Sequence, residues 1–296
     1  MLGLLQRLLV AFLAFVCFVS ISAFELDNVQ LTHSDLNLNG TAQEELRVRR
    51  ATVPYTTSLG FYTDDILRDE KFSTGQIAYT SVIDYTVDVD SWTDEQLLGV
   101  AEQAWDEMIV VHQEWMDDCK TQGRKDFLKR FTPPMVSVLA VGNTLYIGSV
   151  MKLSTPNALF TFKPADDGKY VDKKVIDIME NAFVQAATEF TNKNKDWAIS
   201  KDPRKGHTNS GCCAEFVATS LCVIDTALLP WDVKTKKKPR IVAWGTGASD
   251  PFTVAGTQQN PCWKKNSQQT KDGTDKIGCG QFVEGKMASH TFHNCH

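Results

Sequence analysis

Residues 207–220 read HTNSGCCAEFVATS, placing Glu215 two residues after Cys213 at the head of an apolar run. A cysteine acts as a metal ligand or nucleophile only as the thiolate, and a helix N-terminus stabilises that form. A carboxylate two residues from a metal-ligating cysteine is placed to shuttle a proton rather than to ligate. A second thiol with the same setting is Cys262, which follows Asn260-Pro261; proline suits the first turn of a helix. Of the eight cysteines, Cys17 lies in an apolar leader. The remaining seven are Cys119, Cys212, Cys213, Cys222, Cys262, Cys279 and Cys295. An odd count leaves at least one out of disulfide pairing. A three-thiolate metal site plus two disulfides fits the number. So do three disulfides and one free thiol.

The elements that must position these residues follow from periodicity. Thr93 and Gln96 form a T-x-x-Q capping signature. Leu97, Val100, Ala101, Ala104, Trp105, Met108, Val111 and Trp115 then recur at helical spacing to about Cys119. MVSVLAV and LYIGSVM flank Gly142-Asn143-Thr144 and predict a hairpin. A strand is predicted over residues 78–87. Val175, Ile178, Met179, Ala182, Phe183, Ala186, Ala187 and Phe190 mark a second amphipathic helix. A charged loop covers 192–205. A third helix, apolar on most faces, runs from near Cys212 to about Leu229 and stops at Pro230. Residues 240–247, RIVAWGTG, read as a buried strand, and a last helix spans 279–287. The order predicts an α/β fold: a small three-layer domain with helices around a short mixed sheet.

Cys213-Ala214-Glu215 and Pro261-Cys262, with a hairpin before the first and a strand between them, resemble the zinc-dependent deaminase superfamily (cytidine-deaminase-like), in its secreted fungal and toxin-like branches. That family's motifs are [HC]-x-E and P-C-x-x-C. The resemblance covers about residues 93–285. It implies Cys213, Cys262 and a third cysteine as zinc ligands, a zinc-activated water as nucleophile, and Glu215 as the acid/base. No cysteine stands three residues after Cys262, and the next is Cys279. The expected set is therefore Cys213, Cys262 and Cys279 holding one zinc, with residues 263–278 looping out between. The chain ends early for the strands that usually follow the second motif, which implies a truncated C-terminal sheet edge. Cys262 and Cys279 also suit a disulfide closing a short loop. With zinc bound, Cys119, Cys212, Cys222 and Cys295 are expected to form two disulfides. His207 reads as a loop histidine rather than a ligand, and His290, His293 and His296 lie near the C-terminus.

The chain opens MLGLLQRLLVAFLAFVCFVSISA, the layout of a secretory signal peptide over 1–23. Residues 24–50 are polar, end in Arg49-Arg50 and read as a propeptide, with 51–92 an N-terminal extension and 93–296 the deaminase-like domain. The net charge of −5 argues against electrostatic nucleic-acid binding through a basic face. The mature form is expected to be secreted and off the membrane. Its substrate would be a small-molecule base or nucleoside, or a single-stranded nucleic-acid base. Two other readings compete. One is a non-enzymatic secreted effector or binding protein on a disulfide-bonded scaffold. The other is a cysteine hydrolase with its nucleophile in the Cys212-Cys213 helix and His290 or His293 as base.

Overall fold

The computed structural model describes residues 47–49, 59–63, 77–152, 173–195, 197–207, 211–246, 251–259, 276–283 and 286–289. All fall within one compact unit, Ala42–His296. Residues 1–46, Arg50, Cys262, Cys295 and the terminal histidines His290, His293 and His296 lie outside the described residues.

Among the described residues, three strands come first: β1 (Arg47–Arg49), β2 (Tyr62–Thr63) and β3 (Tyr79–Asp84). Helix α1 (Asp94–Asp117) follows. Its capping box is formed: the Gln96 N–H donates to Thr93 Oγ1 (3.3 Å), and the Thr93 N–H donates to Gln96 Oε1 (2.8 Å). A short helix α2 (Gln122–Arg130), not anticipated from periodicity, turns the chain into β4 (Met135–Val141). The hairpin to β5 (Thr144–Ser149) turns at Gly142, whose φ of +60° favours glycine. Next come α3 (Lys173–Lys193), one turn α4 (Pro203–Gly206) and α5 (Ala214–Thr226). The last described elements are β6 (Arg240–Gly245), β7 (Thr257–Gln259), α6 (Cys279–Val283) and β8 (Ala288–Ser289).

Five strands, β3-β5-β4-β6-β7, pair antiparallel. β1 and β2 extend the free edge of β3, and β8 pairs with β6 in parallel. The sheet is thus mixed, as expected, with antiparallel pairs predominating. Its C-terminal edge carries β8, a strand of two residues. β3 is internal to the sheet although it precedes residue 93, where the sequence places the start of the domain.

Alternation along β4 produces the layers, because successive side chains point to opposite faces. Leu139 and Val141 join the apolar cluster built with α3 and α5. Val136, Val138 and Ala140, also fully buried, face the other way. α5 packs on β4 and β5, and α1 packs on β4 and β6. An α/β layered domain results. No helix among the described residues is long and apolar enough to cross a membrane.

Candidate metal centre

Three separate segments deliver the chemistry. His207 follows α4, where the Lys205 and Gly206 N–H groups both donate to Asp202 O. Gly206 is held so tightly that a Cβ there would lie 2.1 Å from Ser200 O. His207 then bridges in parallel to Ile277, with the Ile277 N–H donating to Gly206 O at 2.9 Å. That single pairing draws the segment leading to Cys279 against the histidine. Cys279 is the first residue of α6, and the preceding Gly278 N–H is capped by Gln281 Oε1 at 2.9 Å. Cys213 is the N-cap of α5 and makes no side-chain capping bond. The chain just ahead of it is pinned by the Met151 N–H donating to Cys212 O at 2.9 Å.

The outcome is a cluster of His207, Cys213 and Cys279 whose ligand atoms all lie within 4.8 Å of one another. His207 Nε2 is 3.5 Å from Cys279 Sγ. All three are buried, with exposures of 0%, 1% and 0%. The walls are aromatic. Phe183 and Phe216 meet the His207 ring edge-on at centroid distances of 6.0 and 4.6 Å, and Phe216 stacks on Phe282 at 4.3 Å. Burial pulls the His207 pKa down to about 3, with Lys276 adding to the effect, so the imidazole is neutral as a metal ligand requires. The Gly211 N–H donates to His207 Nδ1 at 3.2 Å, which leaves the ring proton on Nε2, facing Cys279. For Nε2 to take a metal, that proton must pass to Nδ1 and the Gly211 N–H must swing away.

Glu215 sits in the first turn of α5 and is 1% exposed. Neither carboxylate oxygen has a well-formed hydrogen bond. Burial raises its pKa, and contacts with its own backbone N–H and the neighbouring Cys279 thiol offset part of that rise.

Of the expected ligands, Cys213 and Cys279 do come together, and Cys262 lies outside the described residues. His207 is the correction: it is no loop histidine but a buried member of the cluster. None of the described cysteines, Cys119, Cys212, Cys213, Cys222 and Cys279, is joined in a disulfide. Two disulfides among Cys119, Cys212, Cys222 and Cys295 are therefore not formed here. Cys222 is sealed inside α5 against Thr226, its thiol pushed up to about 12 chiefly by burial. Cys119 lies at the far end of α1, with Sγ on Trp115 O at 3.3 Å. Compared with protein-family models, curated proteins and solved structures, the chain matches none.

The donor set suits zinc. Two thiolates and one imidazole match its preference for sulfur and nitrogen, and three protein ligands leave a position for water or substrate. A buried carboxylate with no well-formed partner beside that set is what a catalytic zinc site needs for proton transfer.

Proposed function

We propose that the chain is a zinc-dependent hydrolase that replaces the amino group of a nucleobase, nucleoside or single-stranded nucleic-acid base with oxygen, releasing ammonia. The observation that carries this reading is Glu215: buried, without a well-formed hydrogen bond, and two residues from Cys213 in a His/Cys/Cys cluster. The choice of an amidine substrate rests on the resemblance of Cys213-Ala214-Glu215 to [HC]-x-E. His207, Cys213 and Cys279 would hold the metal. When bound, zinc would supply a water of lowered pKa and polarise the reacting carbon's substituents.

The rest is work for this chain's own residues. Glu215 Oε1 or Oε2 takes the proton of the attacking water and delivers it to the leaving nitrogen. Its raised pKa suits the first half of that exchange, because a carboxylate of ordinary basicity is a weak acceptor of the water's proton. The Phe183, Phe216 and Phe282 walls exclude water, which strengthens the electrostatic interactions inside.

A second reading draws on the complete burial of the cluster: a closed structural metal site, with Glu215 as fourth ligand. Elemental analysis of protein purified without chelator, combined with Glu215→Gln, separates the two. The hydrolase retains about one zinc per chain in the variant and loses ammonia release across a panel of bases, nucleosides and single-stranded nucleic acids. A closed site loses zinc. Wild-type protein without zinc, or with zinc but no ammonia release from any panel member, would overturn the hydrolase reading.

A further inference from the structure

The two thiols that would hold a metal are also within reach of each other. Cys213 and Cys279 Sγ lie within 4.8 Å, both buried, at the heads of separate helices. A disulfide needs about 2.05 Å between sulfurs, so the two side chains must turn toward each other to close it. The other described thiols are poorly placed to compete. Cys222 is turned onto Thr226, and Cys119 onto the carbonyl of Trp115. Cys212 is adjacent to Cys213 in sequence, where a direct bond is strained.

We propose that Cys213 and Cys279 are an oxidation site, joined as a disulfide by a peroxide when no metal is bound, and that this bond and metal binding exclude each other. Attack of one thiolate on hydrogen peroxide breaks the O–O bond and gives a sulfenic acid and hydroxide, which takes up a proton to become water. The second thiolate attacks that sulfur, forms the S–S bond and expels a second hydroxide, which is likewise protonated to water. Two thiols and one peroxide thus become one disulfide and two waters, with two electrons passing from sulfur to oxygen. Exclusion follows because the disulfide consumes both thiolates that the metal requires. The exclusion rests on the metal reading given above. The pairing of the two cysteines does not.

The test uses the full chain, reduced and freed of metal with a chelator, exposed to hydrogen peroxide, alkylated, digested and examined by mass spectrometry. A peptide linking Cys213 to Cys279 is expected as the main cross-link. Zinc uptake should fall at least tenfold after oxidation and return with dithiothreitol. Zinc loaded before peroxide should slow the cross-link at least tenfold. Cys213 and Cys279 both alkylated after peroxide, or a dominant link from either to another cysteine, would overturn the proposal. A chain that cross-links there yet takes up no zinc when reduced would sink the metal reading and the exclusion while the oxidation site stands.

Discussion

Glu215 is buried without a well-formed bond, and its two duties separate cleanly in one variant. If it only marks a helix start, Glu215→Gln costs at most about 0.3–1 kcal/mol of stability and nothing else. If it moves protons, ammonia release falls by about 10²- to 10⁴-fold with zinc content unchanged, as assayed by coupled ammonia detection beside elemental analysis. The Gly211 amide gives a second readout. If zinc were held by His207 Nε2, the ring proton would move to Nδ1 and the Gly211 N–H would turn away, so that amide should shift more than its neighbours in a zinc titration followed by nuclear magnetic resonance. A third prediction concerns pH and lies away from the cluster. His112 is fully buried, accepting from Tyr79 O–H at Nδ1 (2.7 Å) and donating from Nε2 to Leu128 O (3.0 Å). Burial, partly offset by the Leu128 bond, lowers its pKa to about 4 from 6.5. The unfolded chain therefore binds this proton first, and stability present above pH 6.5 is lost as pH falls toward 4, by as much as about 3 kcal/mol. Urea unfolding at pH 7 and pH 4 measures it, and His112→Gln should remove that share of the pH dependence. Cys213 was legible as a cluster member because a thiol before an apolar helix carries its meaning locally, whereas Cys279 entered only through the family resemblance. His207 was not, because its place depends on pairing with Ile277, seventy residues away along the chain (277 − 207).

Elements with strong local signals form where the sequence puts them. Helix α1 starts at its capping box, and the β4–β5 hairpin turns at Gly142. Helix α5 is shorter at both ends than its apolar pattern suggests, since Cys213 caps it and Ala227 leaves it in a left-handed conformation (φ +58°). α2 left no signature: of its nine residues only Leu128 is buried, so no apolar stripe marks it. The seating of α5 on the sheet depends on a missing side chain. A Cβ on Gly148 would lie 2.8 Å from Val217 Cγ1 and 2.9 Å from the Ala218 backbone nitrogen. The backbone atom cannot rotate away, so Gly148→Ala has to lift the helix that carries Cys213 and Glu215. A loss of about 1–3 kcal/mol is expected, as for other overpacked cores. It should show as a lower urea midpoint together with weaker zinc retention against a chelator. A lower midpoint with unchanged zinc retention would mean that the helix is not displaced at the cluster.

For the whole molecule, the layered α/β class was legible because helical and strand periodicities alternate along the chain. The sheet order was not, since pairings such as β3 with β5 join segments that no local pattern links. The position of β1 shows the same. Nothing in the polar leader announces a strand, yet Arg47, Val48 and Arg49 pair with Asp84, Ile83 and Val82 on the outer edge of the sheet. If the leader is cut after Arg50, N-terminal sequencing of secreted protein returns Ala51; a start at Phe24 would mean that the propeptide is retained. Such a cut falls one residue past β1 and turns a tethered strand into a free peptide. Three paired residues are too few to keep a separate peptide in place. Its departure would bare the backbone amides and carbonyls of residues 82–84, an open edge of the kind that seeds aggregation. Maturation would then cost the protein colloidal stability: the uncut chain should stay dispersed at concentrations where the processed one turns turbid.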